Sequence, residues 1–396
     1  MKQRLNAGMM AKDPAREHLK DVSMSKLWQK LALILALALS LALSGGMAGI
    51  AGAVAYRYED LSLQGLGNSL FISAINDSAW IVGYFNHPSA HTNQPFVWRP
   101  GVGQTDMQNP SYPLAAYAHG INNQGQIVGQ ANSLSLPGID ACYWSSPTAA
   151  PAALPTTGAS LYENCAYGIN EAGEVAGEGQ FGDPLTAPIH AARWPANHST
   201  ATDLGTLGEG SFSYACSINR DGWAVGYSEN LPAPSHGFAC LWVPGQQPQQ
   251  IPSPIQPGPA IFDYANVITD QANVLGHAMY VEGAGLAFFR DHQTGVSQLI
   301  LPNAYSALAA GMSEANQVVG YYEIMEPPSW GLFYWTPGGE SRDLNQMVVN
   351  LPPGVSLWSV SAISRNGRYI TGFDSRGHPY LLTAVAMPPI GLLLLN

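Results

Sequence analysis

One short pattern of apolar and polar residues recurs seven times along the chain. In each copy a run of small or apolar residues ends in Ile or Met, a polar turn follows, and a second apolar run closes on Gly. Two such runs joined by a polar turn are typical of a β-hairpin. In chain order the copies, called repeats 1 to 7 below, are 75–83, 121–129, 169–177, 218–226, 268–276, 312–320 and 363–372.

The turn of each repeat has a consistent chemistry. The residue after the Ile or Met is Asn in four copies and Thr or Ser in three, and all of these side chains can hydrogen-bond the turn backbone. Gly125, Gly173 and Gly222 stand where a left-handed residue is needed, and Asn316 takes that place in repeat 6. Ala79 and Ala272 depart from this rule, so the first and fifth turns are expected to differ from the others.

Two further strands are predicted in each repeat. About 15 residues after the closing Gly a second apolar run ends in Trp in five copies, and Arg290 and Leu382 occupy the same column in the other two. A fourth strand follows a Pro/Gly turn, with 202–208 as the fullest version and 342–344 as a shorter one. Four strands in about 47 residues are typical of one blade of a β-propeller. The five tryptophans are predicted to be core residues between blades: Trp98, Trp144, Trp194, Trp242 and Trp335.

The two ends of the repeat region complement each other. Repeat 7 stops after its third strand, at 380–383, whereas the segment 59–67 resembles the fourth-strand phrase. An N-terminal strand that completes the last blade would remove an exposed sheet edge. The predicted fold is therefore all-β, a seven-bladed propeller of degenerate four-stranded repeats whose ring is closed by the N-terminal strand. Another number of blades and other β folds remain as alternatives.

These phrases resemble the HAF repeat of a bacterial family of probable extracellular repeat proteins. The resemblance covers about residues 57 to 383 and is closest at Ala118 to Gly129 and at Asp203 to Gly208. It implies secretion and a β-rich repeat fold. No activity is established for the family, so the resemblance implies no catalytic residue.

The N-terminus is typical of an exported protein. Lys26 and Lys30 precede the apolar run 31–43, and the later sequence Ala-Val-Ala at 53–55 resembles a signal-peptide cleavage site. An uncleaved membrane anchor remains an alternative, because no charge interrupts 31–55. Met24 also remains an alternative start to Met1.

Three segments follow from these patterns. Residues 1–55 are the predicted leader, 56–383 the single propeller domain, and 384–396 a short apolar tail. The protein is expected outside the cell, at the cell surface or in the periplasm, with an N-terminal anchor if the leader is retained.

Charge narrows the range of partners. From Tyr56 onward the chain has 24 acidic residues and nine arginines but no lysine, a formal charge of 9 − 24 = −15. Such a surface repels phosphate backbones and anionic headgroups, so neither nucleic-acid binding nor membrane insertion of the domain is expected. A monomer that binds a glycan or a surface protein is the expected form.

The sequence contains no motif that identifies a reaction. The Gly-x-Ser-x-Gly elbow, the zinc-protease His-Glu-x-x-His, the calcium loop and the phosphate loop are all absent. Four cysteines lack metal-binding spacing and are predicted to be structural, either free or paired: Cys142, Cys165, Cys216 and Cys240. Neither a catalytic residue nor a metal or cofactor is predicted.

One variable column is the best candidate for a binding site. It lies two residues before the Ile or Met, and its neighbours in the predicted innermost strands are small or apolar; its members are Ser73, His119, Tyr167, Cys216, Asn266, Ala310 and Ser361. If these strands line the central channel, the side chains reach it. His119, Tyr167 and Asn266 are therefore the predicted ligand-binding residues.

The predicted function is a non-catalytic, exported propeller that binds a ligand or another protein. Two alternatives stay open at this stage. One is a polysaccharide-active enzyme, a hydrolase or lyase, with a site built from loops between blades. The other is a purely structural cell-surface protein, which would lack a concave polar pocket.

Overall fold

The computed structural model describes residues 54–61, 70–87, 92–107, 115–132, 138–156, 164–183, 187–209, 212–231, 236–255, 260–280 and 284–385. These residues form β-strands and one 3-10 turn, Asn345–Met347, and contain no α-helix, so the all-β prediction is confirmed. One compact unit spans Ala55–Val385. Most of the predicted leader and tail lies outside the described residues. No helix in the described part of the chain is long and apolar enough to cross a membrane.

The strands follow one another in groups of four that correspond to the repeats. In chain order they are β1 (Ala55–Asp60), β2 (Leu70–Ile75), β3 (Ile81–Asn86), β4 (Asn93–Arg99), β5 (Gly103–Asp106), β6 (Ala116–Ile121), β7 (Ile127–Asn132), β8 (Ile139–Trp144), β9 (Ala152–Ala153), β10 (Cys165–Ile169), β11 (Val175–Gln180), β12 (Ile189–Trp194), β13 (Thr202–Asp203), β14 (Leu207–Gly208), β15 (Ser213–Ile218), β16 (Ala224–Leu231), β17 (His236–Trp242), β18 (Gln249–Gln250), β19 (Ala260–Ile268), β20 (Val274–Tyr280), β21 (Gly285–Arg290), β22 (Ser297–Leu299), β23 (Ser306–Met312), β24 (Val318–Met325), β25 (Pro328–Trp335), β26 (Arg342–Asp343), β27 (Leu357–Ile363), β28 (Tyr369–Asp374) and β29 (Pro379–Val385).

Each of repeats 1 to 6 contributes an antiparallel group of four strands, and repeat 7 contributes three. Repeats 1, 2, 3 and 7 form separate four-stranded sheets, whereas repeats 4 to 6 are joined into one larger sheet by parallel pairing. Two of these parallel links are single pairs, Gly237 with Phe262 and Leu286 with Ala307. In the sheet of repeat 7 the fourth strand is β1, which pairs with β29 from Ala55 opposite Val385 to Asp60 opposite Tyr380.

The hydrophobic cores lie between neighbouring sheets. Trp144 of repeat 2, for example, shares a core with Val82 and Val97 of repeat 1. Leu381 of repeat 7 shares another with Trp98 of repeat 1. All five tryptophans of the predicted column are at most 6% exposed, so their predicted role in the core is confirmed. Burial between faces of adjacent sheets is what aligns one repeat against the next.

In the four turns that begin with Asn, its side chain holds the turn and also bonds the next repeat. In repeat 2, Asn122 Oδ1 accepts hydrogen bonds from the backbone N–H groups of Gln124 (3.1 Å) and Gln126 (3.0 Å). Its Nδ2 donates to the backbone oxygen of Asn170, in the next repeat, at 3.1 Å. The predicted side-chain support of the turn is present, and the bond between repeats is an addition. The same bond between repeats is made by Asn76, Asn170 and Asn219.

The expectation that the first and fifth turns differ is wrong. Ala79 and Ala272 have φ of 59° and 62°, close to the 58° of Asn316. The N–H of Ala79 donates to the oxygen of Asn76 at 3.0 Å, and that of Ala272 donates to the oxygen of Thr269 at 2.9 Å. The turn hydrogen bonds therefore hold alanine in a left-handed conformation that costs a non-glycine residue roughly 1–2 kcal/mol.

Replacing Ala272 with glycine is expected to stabilise the protein by roughly 0.5–1 kcal/mol, because relief of the left-handed strain exceeds the added entropy of the unfolded chain. Ala79 belongs to a hydrophobic core, where the loss of its methyl group offsets that relief. Urea denaturation measures the change. Gly173→Ala is the matched control, since Gly173 has φ of 87° at the same turn position, and it is expected to destabilise. Destabilisation by Ala272→Gly would contradict the strain.

A β-bulge interrupts the first strand of every repeat at the same place. In every repeat the register of the first strand with the second skips one residue at this place, and these residues are Ser73, His119, Tyr167, Cys216, Asn266, Ala310 and Ser361. Repeats 5 and 7 have a second shift farther from the turn. The seven bulge residues are the variable column of the sequence. Opposite the bulge lies the closing Gly of the repeat, and a Cβ on Gly129 would collide with the carbonyl oxygen of Tyr117. The closing Gly therefore marks a bulge that reorients one side chain in each repeat.

Candidate functional site

The bulge residues line one cavity. It has a volume of about 260 Å³ and is bounded by first-strand residues of all seven repeats. Six of the seven bulge residues line the cavity. In repeat 7 the lining residues are Ala362 and Ile363, which follow the bulge residue Ser361. The lining continues from the bulges to the turns, where Glu314 and Arg365 complete it. The three predicted ligand-binding residues, His119, Tyr167 and Asn266, are thus brought into a single site.

His119 presents a hydrogen-bond acceptor without a partner. Burial lowers the pKa of its imidazole from 6.5 to about 4, although a hydrogen bond with the Gln130 side chain opposes the shift. The ring is therefore neutral at physiological pH. Its Nε2 is buried and has no hydrogen-bond partner. Because Nε2 has no partner, Nδ1 makes the bond with Gln130, and the proton of the neutral ring is assigned to Nδ1. The neutral tautomer thus leaves the Nε2 lone pair unpaired.

Asn266 provides a second unpaired acceptor. Its side-chain oxygen Oδ1 is buried and without a hydrogen-bond partner. A buried acceptor left unpaired costs about 1–3 kcal/mol. Two such atoms in one cavity therefore destabilise the protein unless a ligand or water supplies the missing donors.

Tyr167 and Cys216 complete the polar part of the cavity. The hydroxyl of Tyr167 donates to Glu178 Oε1 at 2.7 Å, and burial raises the pKa of this phenol. Burial, reinforced by the nearby Glu178 carboxylate, raises the pKa of the Cys216 thiol to about 12. Both groups keep their protons at neutral pH. A thiol with that pKa is a poor nucleophile.

Aromatic rings pack next to the bulge residues on the side away from the turns. The ring centroid of His119 is 6.2 Å from that of Tyr117 and 5.7 Å from that of Tyr167. Tyr167 in turn lies 6.1 Å from Tyr214. These contacts hold the imidazole and the phenol in place, so the acceptor of His119 is preorganised.

A rim of turn residues surrounds the other end of the cavity. It consists of the residue after the Asn, Thr or Ser of each turn, namely Asp77, Asn123, Glu171, Arg220, Asp270, Glu314 and Arg365. Side chains of the rim accept hydrogen bonds from the backbone of the preceding repeat, as from Asp77 N to Asn123 Oδ1 (2.8 Å) and from Asp270 N to Glu314 Oε2 (2.8 Å). Asn366 N donates to Asp77 Oδ1 at 2.8 Å, which links repeat 7 to repeat 1.

The rim is acidic. Four carboxylates face two guanidinium groups, a formal charge of 2 − 4 = −2. Arg365 is paired with Asp270 at 2.9 Å and also with Glu314. Burial raises the pKa of the Glu314 carboxyl, and Arg365 opposes that rise. Sequence reasoning missed the rim, although its signal is the charged residue that follows the Asn, Thr or Ser in six of the seven repeats.

A second cluster of polar residues lies at the junction of β1 and β29. Asp60, Asp374 and His378 are the one group among the described residues whose spacing would suit a metal ion. Arg376 occupies this position, since its Nη2 lies 2.7 Å from Asp60 Oδ2 and 2.6 Å from Asp374 Oδ2. The cluster is therefore an ion-pair network that joins β1 to the rest of its sheet.

Comparison with known proteins identifies the fold alone. No protein-family model and no curated protein matches the chain. Among solved structures, the chain resembles a puromycin-hydrolysing peptidase of Mycobacterium tuberculosis with a TM-score of 0.51, 11% identity and coverage of 84% of this chain and 54% of that one. A prolyl endopeptidase matches with a TM-score of 0.51 and 10% identity, and the match covers 91% of this chain and 56% of that one.

A third structure is the β-propeller domain of the Trilobed protease of Pyrococcus furiosus. It matches with a TM-score of 0.50 and 10% identity, and the match covers 81% of this chain and 100% of that domain. The chain spans just over half the length of the two peptidases. Together with the four-stranded sheets, these likenesses show that the protein has a β-propeller fold.

Proposed function

We propose that this protein is an exported, non-catalytic β-propeller of seven blades that binds a small polar ligand in its central cavity. Export is supported by the basic residues, apolar run and cleavage-like sequence of the leader. The thiol and the imidazole of the cavity are neutral, so the described cavity residues supply no activated nucleophile. A polysaccharide-active site built from loops between blades stays the alternative.

Contacts between first strands support the seven-bladed ring. Going round in order, β2 contacts β6, β6 contacts β10, β10 contacts β15, β15 contacts β19, β19 contacts β23, β23 contacts β27, and β27 contacts β2. The pairing of β1 with β29 supports closure of that ring by the N-terminal strand. Closure in this way leaves no unpaired edge on the last blade.

The observation that carries the binding function is the pair of unpaired acceptors on bulge residues. A fold that needed only a filled channel would place apolar side chains there, as it does with Ala310. Instead two bulges direct buried acceptors, His119 Nε2 and Asn266 Oδ1, to the same cavity. Such unsatisfied polar atoms are retained at functional sites at a cost in stability.

Asn266→Leu is therefore expected to stabilise the ligand-free protein, by roughly 1 kcal/mol, because an unpaired buried oxygen is replaced by apolar atoms of similar volume. The free energy of unfolding of purified residues 56–396 measures this in urea. Asn197→Leu is the matched control, since Asn197 lies in an exposed turn outside the cavity. A loss of more than about 1 kcal/mol in Asn266→Leu would assign Asn266 to structure and reject the binding role.

A further inference from the structure

The unpaired atoms of the cavity are both acceptors. Asn266 Oδ1 is a carbonyl oxygen, and His119 Nε2 is the lone-pair nitrogen of a ring whose other nitrogen already donates. The Tyr167 hydroxyl donates to Glu178 and so is not available to either atom. A ligand that pairs with both atoms therefore has to supply hydrogen-bond donors.

The charges around the cavity act in the same direction. The rim has a formal charge of −2, and the chain from Tyr56 onward one of −15. The guanidinium of Arg365, which lines the cavity, is engaged by Asp270 and Glu314 and so is not free to bind an anion. Within the cavity the imidazole is neutral. A potential of this sign attracts cations and repels anions at a concave site.

We infer, on the basis of the proposed function, that the ligand of the central cavity is a small organic cation bearing N–H donors, of the primary ammonium class. Its N–H groups would bond His119 Nε2 and Asn266 Oδ1, and the acidic rim would attract its charge. Tyr167 also lines the cavity, and an aromatic face stabilises a cation.

A metal ion fits the cavity less well than an organic cation. No set of three His, Cys, Asp or Glu ligand atoms converges among the cavity residues that the structure describes. The volume of about 260 Å³ accommodates several non-hydrogen atoms, which a lone ion would not fill. Since the cavity is smaller than the pockets of drug-sized ligands, the cation itself is small.

The test is a titration of residues 56–396 with four probes at constant ionic strength, followed by calorimetry and by the melting temperature. Butylammonium chloride has both charge and N–H donors, tetramethylammonium chloride has charge alone, butane-1,4-diol has donors alone, and magnesium chloride is a bare divalent ion. We expect butylammonium to bind with a Kd of about 1 mM or tighter, and the other three at least tenfold more weakly.

Two substitutions at Asn266 give opposite expectations. Asn266→Leu removes an acceptor and is expected to weaken butylammonium binding at least tenfold. Asn266→Asp exchanges the amide for a carboxylate and is expected to strengthen it about tenfold, because an ion pair replaces a neutral hydrogen bond in a buried site. Asn197→Leu, at a position outside the cavity, should leave the affinity for butylammonium unchanged.

The outcomes separate this inference from the proposed function. Preferential binding of butane-1,4-diol would overturn the cationic ligand but keep the cavity as a binding site. Equal binding of tetramethylammonium would overturn the need for N–H donors. If no probe binds at 20 mM, the inference is overturned. The proposed function is overturned as well only if Asn266→Leu also lowers the free energy of unfolding.

Discussion

Replacing Asn170 with alanine is expected to lower the free energy of unfolding by about 3 kcal/mol. The Asn170 side chain is fully buried, and its Oδ1 accepts hydrogen bonds from the N–H groups of Ala172 (3.0 Å) and Glu174 (2.9 Å). Its Nδ2 donates to the backbone oxygen of Asn219 in the next repeat at 2.9 Å. Alanine would remove all three bonds, each with a net contribution of about 0.5–1.5 kcal/mol. The Ala172 and Glu174 N–H groups would lose their side-chain acceptor, whereas the Asn219 oxygen would keep its bond from the Gly222 N–H at 3.1 Å.

Asn170→Ser is the matched control, because the chain itself uses Ser at this position in repeats 6 and 7. There Ser313 Oγ still accepts from the N–H of Gln317 at 3.2 Å, so the turn keeps one of its side-chain bonds. Serine should therefore cost about half as much as alanine. Equilibrium unfolding in urea compares the two variants. A cost below 1 kcal/mol for Asn170→Ala would show that the bond between repeats contributes little to stability.

The hairpins of the fold could be predicted because their signals are local. Each turn needs Asn, Thr or Ser to hydrogen-bond its backbone, and each bulge needs a closing Gly opposite it. Both requirements restrict the residue type at a fixed position, so both can be recognised in the sequence. Ala79 and Ala272 misled the prediction because the turn hydrogen bonds override the preference of alanine for a negative φ. The preference of one alanine for a negative φ is worth about 1 kcal/mol, which is less than the combined contribution of the hydrogen bonds in the turn.

The site could be predicted only in part. The variable column pointed to His119, Tyr167 and Asn266, because side-chain variation against constant neighbours indicates a position free of packing constraints. The roles of Gln130 and Glu178 could not be read from the sequence, since both lie on second strands and meet His119 and Tyr167 only through the pairing of β6 with β7 and of β10 with β11. The unpaired state of an acceptor depends on every neighbouring group, so it becomes visible only in three dimensions.

Asp374→Asn is expected to cost about 1.5–3 kcal/mol, the net contribution of a hydrogen bond to a charged group, because Arg376 is partly exposed and keeps Asp60 as a partner. The Asp374 side chain is fully buried and accepts hydrogen bonds from Arg376 Nε (2.9 Å) and from the Tyr58 hydroxyl of β1 (2.9 Å). Burial alone would raise the pKa of Asp374, but the bonds from Arg376, His378 and Tyr58 outweigh it and hold the pKa below its usual 3.8. Asparagine would turn an NH2 group towards some of these donors.

The pH dependence has a definite sign. Because the folded-state pKa of Asp374 is depressed, its contribution to stability is present above pH 3.8 and is lost as the pH falls through the lower folded value. The difference in stability between the wild type and Asp374→Asn should therefore shrink below about pH 4. Asp203→Asn is the control, since Asp203 lies in the outer strand of repeat 3 and pairs with His190 at an exposed site, where an ion pair contributes at most about 1 kcal/mol.

Hydrogen exchange in Asp374→Asn distinguishes a closing strand from an appended one. If β1 closes the ring, weakening its attachment opens the interface of repeat 7 with repeat 1, where Leu381 and Trp98 share a core. Amides of β2 and β28 should then exchange faster together with those of β1, and the urea midpoint of the whole unit should fall. If only the amides of β1 exchange faster and the midpoint stays unchanged, β1 is an edge strand that the ring does not need, and closure by the N-terminus is wrong.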